Sequence, residues 1–150
     1  MAEINGRAAA EIAAGRKVEV DSQGKVFCAV AEMPTTWTAA ASDIVGSGIV
    51  IPKGSRLVDL PLVSNGAGTA SQTLNVGLRD NKTKVAIDAT GIVNALAISS
   101  AGISSPATGT LLITGQRYIL AADAEIYFTF SAHTPTANQP IRVEVGYLAA

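Results

Sequence analysis

The 150-residue sequence has few of the side chains that most often carry chemistry. It contains one cysteine, Cys28, and one histidine, His133. An internal disulfide is therefore excluded, and a structural zinc site would lack ligands. His133 lies in a polar loop, and no nucleophile elbow occurs that would complete a Ser-His-Asp site. We predict no catalytic, metal-binding or cofactor-binding residues, and therefore no enzyme.

Charge is also scarce. Charged residues make up 15% of the sequence, the net charge is -1, and the 11 Lys and Arg residues are scattered. The basic footprint of a nucleic-acid binder is missing, and no apolar run is long enough to cross a bilayer. We therefore expect neither nucleic acid nor a membrane as a partner. A chain with so little charge covers part of its surface with another subunit or exposes little of it, and the first alternative favours an assembly component.

The N-terminal segment is rich in alanine. Glu3 and Glu11 interrupt it, so it does not match a secretory signal, and we expect the protein to be made and kept in a cytoplasm. Residues 7–14 fit a short helix that Gly15 would end, or an extended arm that becomes ordered only against a partner. Both alternatives stay open. We assign residues 1–16 to this arm and residues 17–150 to one folded domain.

From Lys17 onward the apolar residues follow the two-residue period of β-strands. Val18 and Val20 alternate before a turn at residues 22–24, and the apolar strand 25–33 follows, so the two segments form a predicted hairpin. Three later strands have a clear inward face, and the last two of them are expected to be partners. Their inward residues are Leu74, Val76 and Leu78; Ile126, Phe128 and Phe130; and Ile141, Val143, Val145 and Tyr147.

The segment 51–62, reading IPKGSRLVDLPL, combines a Pro-Lys-Gly turn with an expected strand. The alternation places Val58, Leu60 and Leu62 on the packed face and leaves Arg56, Asp59 and Pro61 at outward or edge positions. Residues 92–98 are ambiguous between a strand and a short helix. The segments 65–71, 99–109 and 132–140 have the composition of loops.

Short strands separated by turn signals at intervals of roughly ten residues indicate the fold class. We predict an all-β protein, an antiparallel β-sandwich or jelly-roll-like single domain with a short N-terminal arm or helix.

Two single residues have alternative interpretations. Cys28 lies in an apolar run and is expected to be a small buried residue rather than a reactive thiol. Trp37, in a Thr-rich loop, either contacts a partner or packs across one end of the sandwich.

The order of several strand motifs carries a family resemblance. Residues 51–59 read IPKGSRLVD, residues 74–78 read LNVGL, and residues 141–147 read IRVEVGY, with a strand around Tyr118 between the last two. This order resembles small structural proteins of tailed bacteriophages, which read I-P-K-G-A-R-V, T-L-x-V-G and R-x-x-V-x-Y. The resemblance covers about two thirds of the chain. The Trp37 loop and the 99–109 loop have no counterpart in that pattern.

The resemblance implies a capsid-associated component, either a decoration (cement) protein on the outside of the major capsid lattice or a minor head protein. It implies the major capsid protein as partner, self-association as a homotrimer, and a location on the capsid surface of the virion. Arg7, Arg16 and Trp37 are the candidate partner contacts. The rival functions are a receptor- or glycan-binding module of a tail or fibre, a head-to-tail or tail component, and, least favoured, an enzyme.

Overall fold

The computed structural model describes residues 26–114 and 118–149. Nine strands and one short helix make up this part of the chain. They are β1 (Val26–Glu32), β2 (Ile44–Ile51), β3 (Arg56–Leu57), β4 (Leu62–Asn65), β5 (Thr73–Asp80), β6 (Ala86–Ala97), β7 (Gly102–Ser104), α1 (Thr110–Thr114), β8 (Ala124–Ser131) and β9 (Ile141–Leu148). The N-terminal arm, its boundary at residues 16 and 17, and the first strand of the predicted hairpin lie outside the described residues.

The strands form two antiparallel sheets. Sheet A has the order β1-β9-β4-β7, with the two-residue strand β3 also paired to β9, and sheet B has the order β2-β8-β5-β6. Because both sheets are antiparallel and their inner faces share one apolar core, the predicted all-β sandwich is confirmed. The central strand β8 is buried along most of its length.

The core is built from the inward positions that the alternation predicts. Leu74, Val76 and Leu78 of β5 are fully buried and lie opposite Phe130, Phe128 and Ile126 of β8. From the facing sheet, β9 contributes Ile141, Val143 and Val145. Burying such a set of branched and aromatic side chains supplies the main free energy that stabilises the sandwich. The inward faces predicted for these three strands are confirmed.

The segment 51–62 differs from the prediction. It is not one strand, because β3 ends at Leu57 and β4 begins at Leu62. Pro61 is buried, Leu60 is 52% exposed and Leu62 is 40% exposed, which reverses the faces predicted for these three residues, whereas Asp59 is exposed as predicted. The irregular residues between the strands shift the alternation, so that Leu57 and Val63 enter the core in place of Leu60 and Leu62.

Four further local predictions are corrected or decided. Cys28 is exposed, not buried. The predicted loop 99–109 contains the short strand β7. The ambiguous residues 92–98 lie almost entirely in β6. Strands β8 and β9, which follow each other in the sequence and were expected to pair, lie in opposite sheets.

Candidate functional site

The outward side of sheet A carries several exposed apolar side chains. Side chains alternate between the two faces of a strand, so the outward residues follow from the register of the paired strands. One row of neighbouring outward residues crosses the sheet from Glu32 through Arg142 and Ser64 to Ile103. This row is polar except at its Ile103 end. We call this surface the outer A face. Its apolar members are Val26, Cys28, Val30, Leu62 and Ile103 on the strands and Leu60 beside them.

Several of these apolar side chains are unusually exposed. Ile103 is 73% exposed, Val26 61% and Leu62 40%. Single exposed apolar residues are normal, but a contiguous group rimmed by polar residues marks a binding surface. Val26, Leu60 and Leu62 meet in a shallow pocket of about 230 Å³. The floor of this pocket is Gly146, where a Cβ would lie only 3.2 Å from the Cβ of Asp59.

An ion-pair group lies on the same face. The guanidinium of Arg142 donates to Glu32 Oε1 at 2.9 Å and to Glu144 Oε1 at 2.6 Å. All three side chains are accessible to water, so each pair adds little to the free energy of unfolding. Two carboxylates and one guanidinium leave the group with a net charge of -1. The arrangement orients charge beside the apolar residues, which favours selective contact with another surface.

A groove of about 550 Å³ continues from this group towards one end of the sandwich. Its lining includes Glu32 and Arg142 of the outer A face and the loop residues Thr35 and Asn138. The groove is open and has mixed polarity. The outer A face and this groove therefore form one continuous strip, suited to a macromolecular partner rather than to a buried small ligand.

The loops at the groove end are held by a buried polar network. The Trp37 ring N–H donates to the carbonyl of Gln139 at 3.0 Å, and the backbone N–H of Trp37 donates to Asn138 Oδ1 at 2.7 Å. The Gln139 amide donates in turn to the carbonyls of Gly66 and Ile98. Four separate connecting segments, those that contain Trp37, Gly66, Ile98 and Gln139, are thereby fixed to one another, which makes this end of the sandwich a rigid platform.

Sheet B has a charged group on its outward side. The buried carboxylate of Glu125 accepts from Arg79 Nε at 2.8 Å and from Lys84 Nζ at 2.7 Å, and the Arg79 guanidinium lies over the Tyr127 ring. These bonds, that of Arg79 foremost, lower the pKa of Glu125 to about 2. A buried carboxylate satisfied in this way is a structural element.

The structure locates one of the three candidate contact residues. Trp37 is 8% exposed and its ring packs on Phe130, which fits the packing alternative. A partner contact by Trp37 stays a prediction, and Arg7 and Arg16 lie outside the described residues. His133 is exposed in its loop, as expected for a solvated histidine.

Within residues 26–114 and 118–149, no group of three or more His, Cys, Asp or Glu side chains is arranged to hold a metal ion. In the same part of the chain, no helix is long and apolar enough to span a membrane.

The sequence alternation missed the outer A face, because it placed Leu60 and Leu62 inward. A usable signal was the near absence of charge in residues 26–33, where Glu32 is the one charged residue.

Comparison with known proteins gives a fold relationship. No protein-family model matches the sequence, and no curated protein matches it. Among solved structures, the chain resembles one in the capsid of Ralstonia phage GP4, with a TM-score of 0.64 and 17% identity over 90% of this chain and 92% of that chain. A chain in the capsid asymmetric unit of the cyanophage Pam1 gives a TM-score of 0.58 and 17% identity, over 91% and 96% of the two chains. This chain therefore shares its fold with chains of two bacteriophage capsids.

Proposed function

We propose that this chain is a structural protein of a bacteriophage virion. The supporting observation is the shared fold, which extends over 90% of this chain and 92% of its counterpart in a phage capsid structure. The described surfaces agree with that role, since they offer an apolar strip and a rigid loop platform rather than a reactive centre. Binding to a lattice requires complementary surfaces and no catalytic group.

Within the virion, the proposed role is that of a capsid decoration protein on the outer surface of the head. Such a protein would bind the major capsid protein in the expanded lattice more tightly than in the precursor, and so stabilise the expanded head by mass action. The outer A face is the proposed contact surface. Arg7 and Arg16 are proposed as additional contacts from the arm, and self-association as a homotrimer is part of the same proposal.

The strand order supports a jelly-roll arrangement as part of this proposal. A jelly roll is a double-sheet sandwich of eight strands built from two Greek keys. Leaving aside the two-residue β3, four strands form each sheet, and the chain crosses between the sheets at every connection except β5 to β6. In both sheets the first strand pairs with one of the last two strands of the chain.

A sedimentation experiment tests the decoration role. The purified protein is mixed with expanded heads and with precursor heads of the phage that carries its gene, and the bound fraction is measured after centrifugation. We expect saturable binding to expanded heads at a fixed stoichiometry, and a higher melting temperature of the decorated heads. Absence of binding to expanded heads would contradict the proposal. Light scattering on the free protein tests the trimer separately.

A pair of matched variants tests the contact surface. Leu62→Asp puts a charge on the outer A face, where it would have to be desolvated on binding. Val85→Asp makes the same change at a 66% exposed position beside the β5–β6 turn. We expect Leu62→Asp to weaken head binding by about tenfold or more and Val85→Asp to leave it unchanged. Equal effects of the two substitutions would indicate that the contact lies elsewhere than on the outer A face.

The glycan-binding alternative needs an accessible aromatic side chain for stacking on a sugar. Trp37 is the one loop tryptophan, and its ring is already stacked on Phe130. The structure therefore offers this alternative no specific support. Unchanged cell or glycan binding by Trp37→Ala, in a variant shown to be folded, would remove Trp37 as a stacking residue.

A further inference from the structure

An asparagine followed by a glycine lies at the end of strand β4, where Asn65 is the last residue of the strand and Gly66 follows it. The backbone nitrogen of the residue after an asparagine can attack the side-chain amide carbon, and glycine hinders this attack least because it has no Cβ. The other asparagines among the described residues all precede a larger residue: Asn75 precedes Val76, Asn81 Lys82, Asn94 Ala95 and Asn138 Gln139. Within this part of the chain, the sequence therefore favours deamidation most at Asn65.

The folded structure requires both residues of this pair. The Nδ2 group of Asn65 donates to the backbone carbonyls of Gly66 and Ser100, at 2.8 Å each, and so fixes the loop after β4 to the loop after β6. A side chain without an N–H group could not make these bonds. Gly66 packs against Pro140, where a Cβ would lie 2.8 Å from the proline Cδ. Packing therefore favours glycine at the position where a larger residue would slow the reaction.

The same contacts keep the reacting atoms apart. The attacking atom, the backbone nitrogen of Gly66, donates its hydrogen to the carbonyl of Pro140 at 2.8 Å. Asn65 is paired with Ile141 of β9 and with Gly102 of β7, which holds its backbone in the strand conformation. Ring closure needs rotation about the bonds of Asn65 and loss of the Gly66 hydrogen bond. The reaction therefore requires this end of sheet A to open locally.

We propose that Asn65-Gly66 is a self-modification site that the folded sandwich holds in an unreactive conformation, so that deamidation marks chains in which this end of sheet A has opened. The Gly66 nitrogen loses its proton to solvent hydroxide and bonds to Asn65 Cγ. The bond from Cγ to the side-chain nitrogen breaks, and that nitrogen takes up a proton and leaves as ammonia. Water then opens the cyclic imide at one carbonyl to give aspartate, or at the other to give isoaspartate. The net reaction consumes one water and releases one ammonia.

Either product prevents this end of the sheet from closing again in the same way. A carboxylate at position 65 would face the carbonyl oxygens of Gly66 and Ser100, and neither side of that contact has a hydrogen to donate. Isoaspartate adds one carbon to the backbone and disturbs the register of β4 against β9. Asn65 and Gly66 also line the groove beside the outer A face. A chain that has opened and reacted therefore loses the shape of that groove irreversibly.

Peptide mapping by mass spectrometry tests the protection on the isolated full chain, independently of the virion proposal. The protein is incubated at mildly alkaline pH with and without guanidinium chloride, and the conversion of residue 65 is followed over time. Asn5-Gly6, the same dipeptide elsewhere in the sequence, gives the reference rate in guanidinium chloride. We expect residue 65 to match this rate in denaturant and to convert about tenfold or more slowly without it. Equal rates for residue 65 in the two solvents would overturn the proposal.

A matched pair of variants tests the effect of the product. Asn65→Asp and Asn94→Asp both exchange an amide for a carboxylate, but Asn94 is exposed on β6. We expect Asn65→Asp to lower the melting temperature by about 3–10 °C and Asn94→Asp to change it by less than about 2 °C. Hydrogen exchange at the Gly66 amide should be about tenfold faster or more in Asn65→Asp. An Asn65→Asp chain that keeps both the melting temperature and the Gly66 protection of the parent would contradict the proposal.

Discussion

The Trp37 ring lies nearly parallel to the Phe130 ring, with centroids 5.4 Å apart and an interplanar angle of 13°. This stack connects a loop to the buried face of β8, and the ring N–H of Trp37 also bonds the carbonyl of Gln139. An aromatic side chain with both contacts closes the end of the core and fixes the loops above it. The groove beside the outer A face therefore depends on Trp37 for its shape.

Replacing Trp37 is expected to destabilise the protein strongly. Trp37→Ala removes a buried aromatic ring and should lower the free energy of unfolding by about 3–5 kcal/mol. Trp37→Phe keeps the stack and loses the N–H donor, for a cost of about 1–2 kcal/mol. Urea unfolding monitored by circular dichroism measures both. A Trp37→Ala variant with unchanged stability would show that the ring serves a contact rather than the core.

The buried amides of Gln72 and Gln139 form a second clamp at the same end. Gln72 Nε2 donates to Gln139 Oε1 at 3.1 Å, and Gln139 donates to two loop carbonyls. Gln139→Leu should cost about 1–3 kcal/mol, because it leaves buried polar groups without partners. Gln72→Leu should lower the free energy of unfolding less in the Gln139→Leu variant than in the parent, since the two residues share one network. Strict additivity of the two unfolding energies would argue against that coupling.

The ion pairs of Glu125 predict a stability that depends on pH. The bonds to Arg79, Lys84 and the Gly48 N–H lower the folded-state pKa to about 2, below that of the same carboxyl in the unfolded chain. Stabilisation by the charged form is therefore complete above about pH 5 and is lost as the pH falls towards 2. We expect about 2 kcal/mol from this source at neutral pH, after allowance for screening at the exposed Lys84.

The corresponding experiment compares the parent with Glu125→Gln by urea unfolding from pH 7 to pH 2.5. The difference between them should be largest at pH 7 and should shrink steadily below pH 5. Glu144→Gln removes an ion-pair partner on the outer A face and serves as the control, with a small effect throughout. A Glu125→Gln deficit that is independent of pH would point to packing rather than to charge.

Two glycines provide a matched test of close packing. A Cβ at Gly77 would lie 2.5 Å from the backbone carbonyl oxygen of Asp88, whereas one at Gly102 would meet nothing within 4 Å. Gly77→Ala should therefore destabilise the protein by about 1–3 kcal/mol through overpacking, and Gly102→Ala should be close to neutral. Thermal unfolding of the two variants checks this. A neutral Gly77→Ala would show that β6 can move away from β5.

The parts of the fold that could be predicted from the sequence are those in which a regular strand has one buried face. The inward residues of β5 and β8 follow from strict alternation, because the core fixes which face is apolar. The prediction was wrong where the chain is irregular. Between Leu57 and Leu62 the backbone leaves the strand conformation, so the period of two no longer relates one residue to the next. Alternation also cannot say which strands pair, and β8 and β9 were wrongly expected to be neighbours.

The candidate surface was less predictable than the fold. An exposed leucine such as Leu60 and a buried one such as Leu57 have the same side chain, and only the register of the folded sheet separates them. Cys28 illustrates the same limit, since its apolar neighbours indicated burial while its position in β1 turns it outward.

The position of β9 has a consequence for biosynthesis. This last strand lies inside sheet A, between β1 and β4, and its pairing joins Val26 to Leu148. While the ribosome still holds residues 141–148, β1 has no neighbour on that side, and the sheet lacks its middle strand. The sheet can then form only once residues 141–148 are free to pair, and pairings over such long sequence separations form slowly. A polypeptide that stops before residue 141 would be a target for proteases rather than a building block.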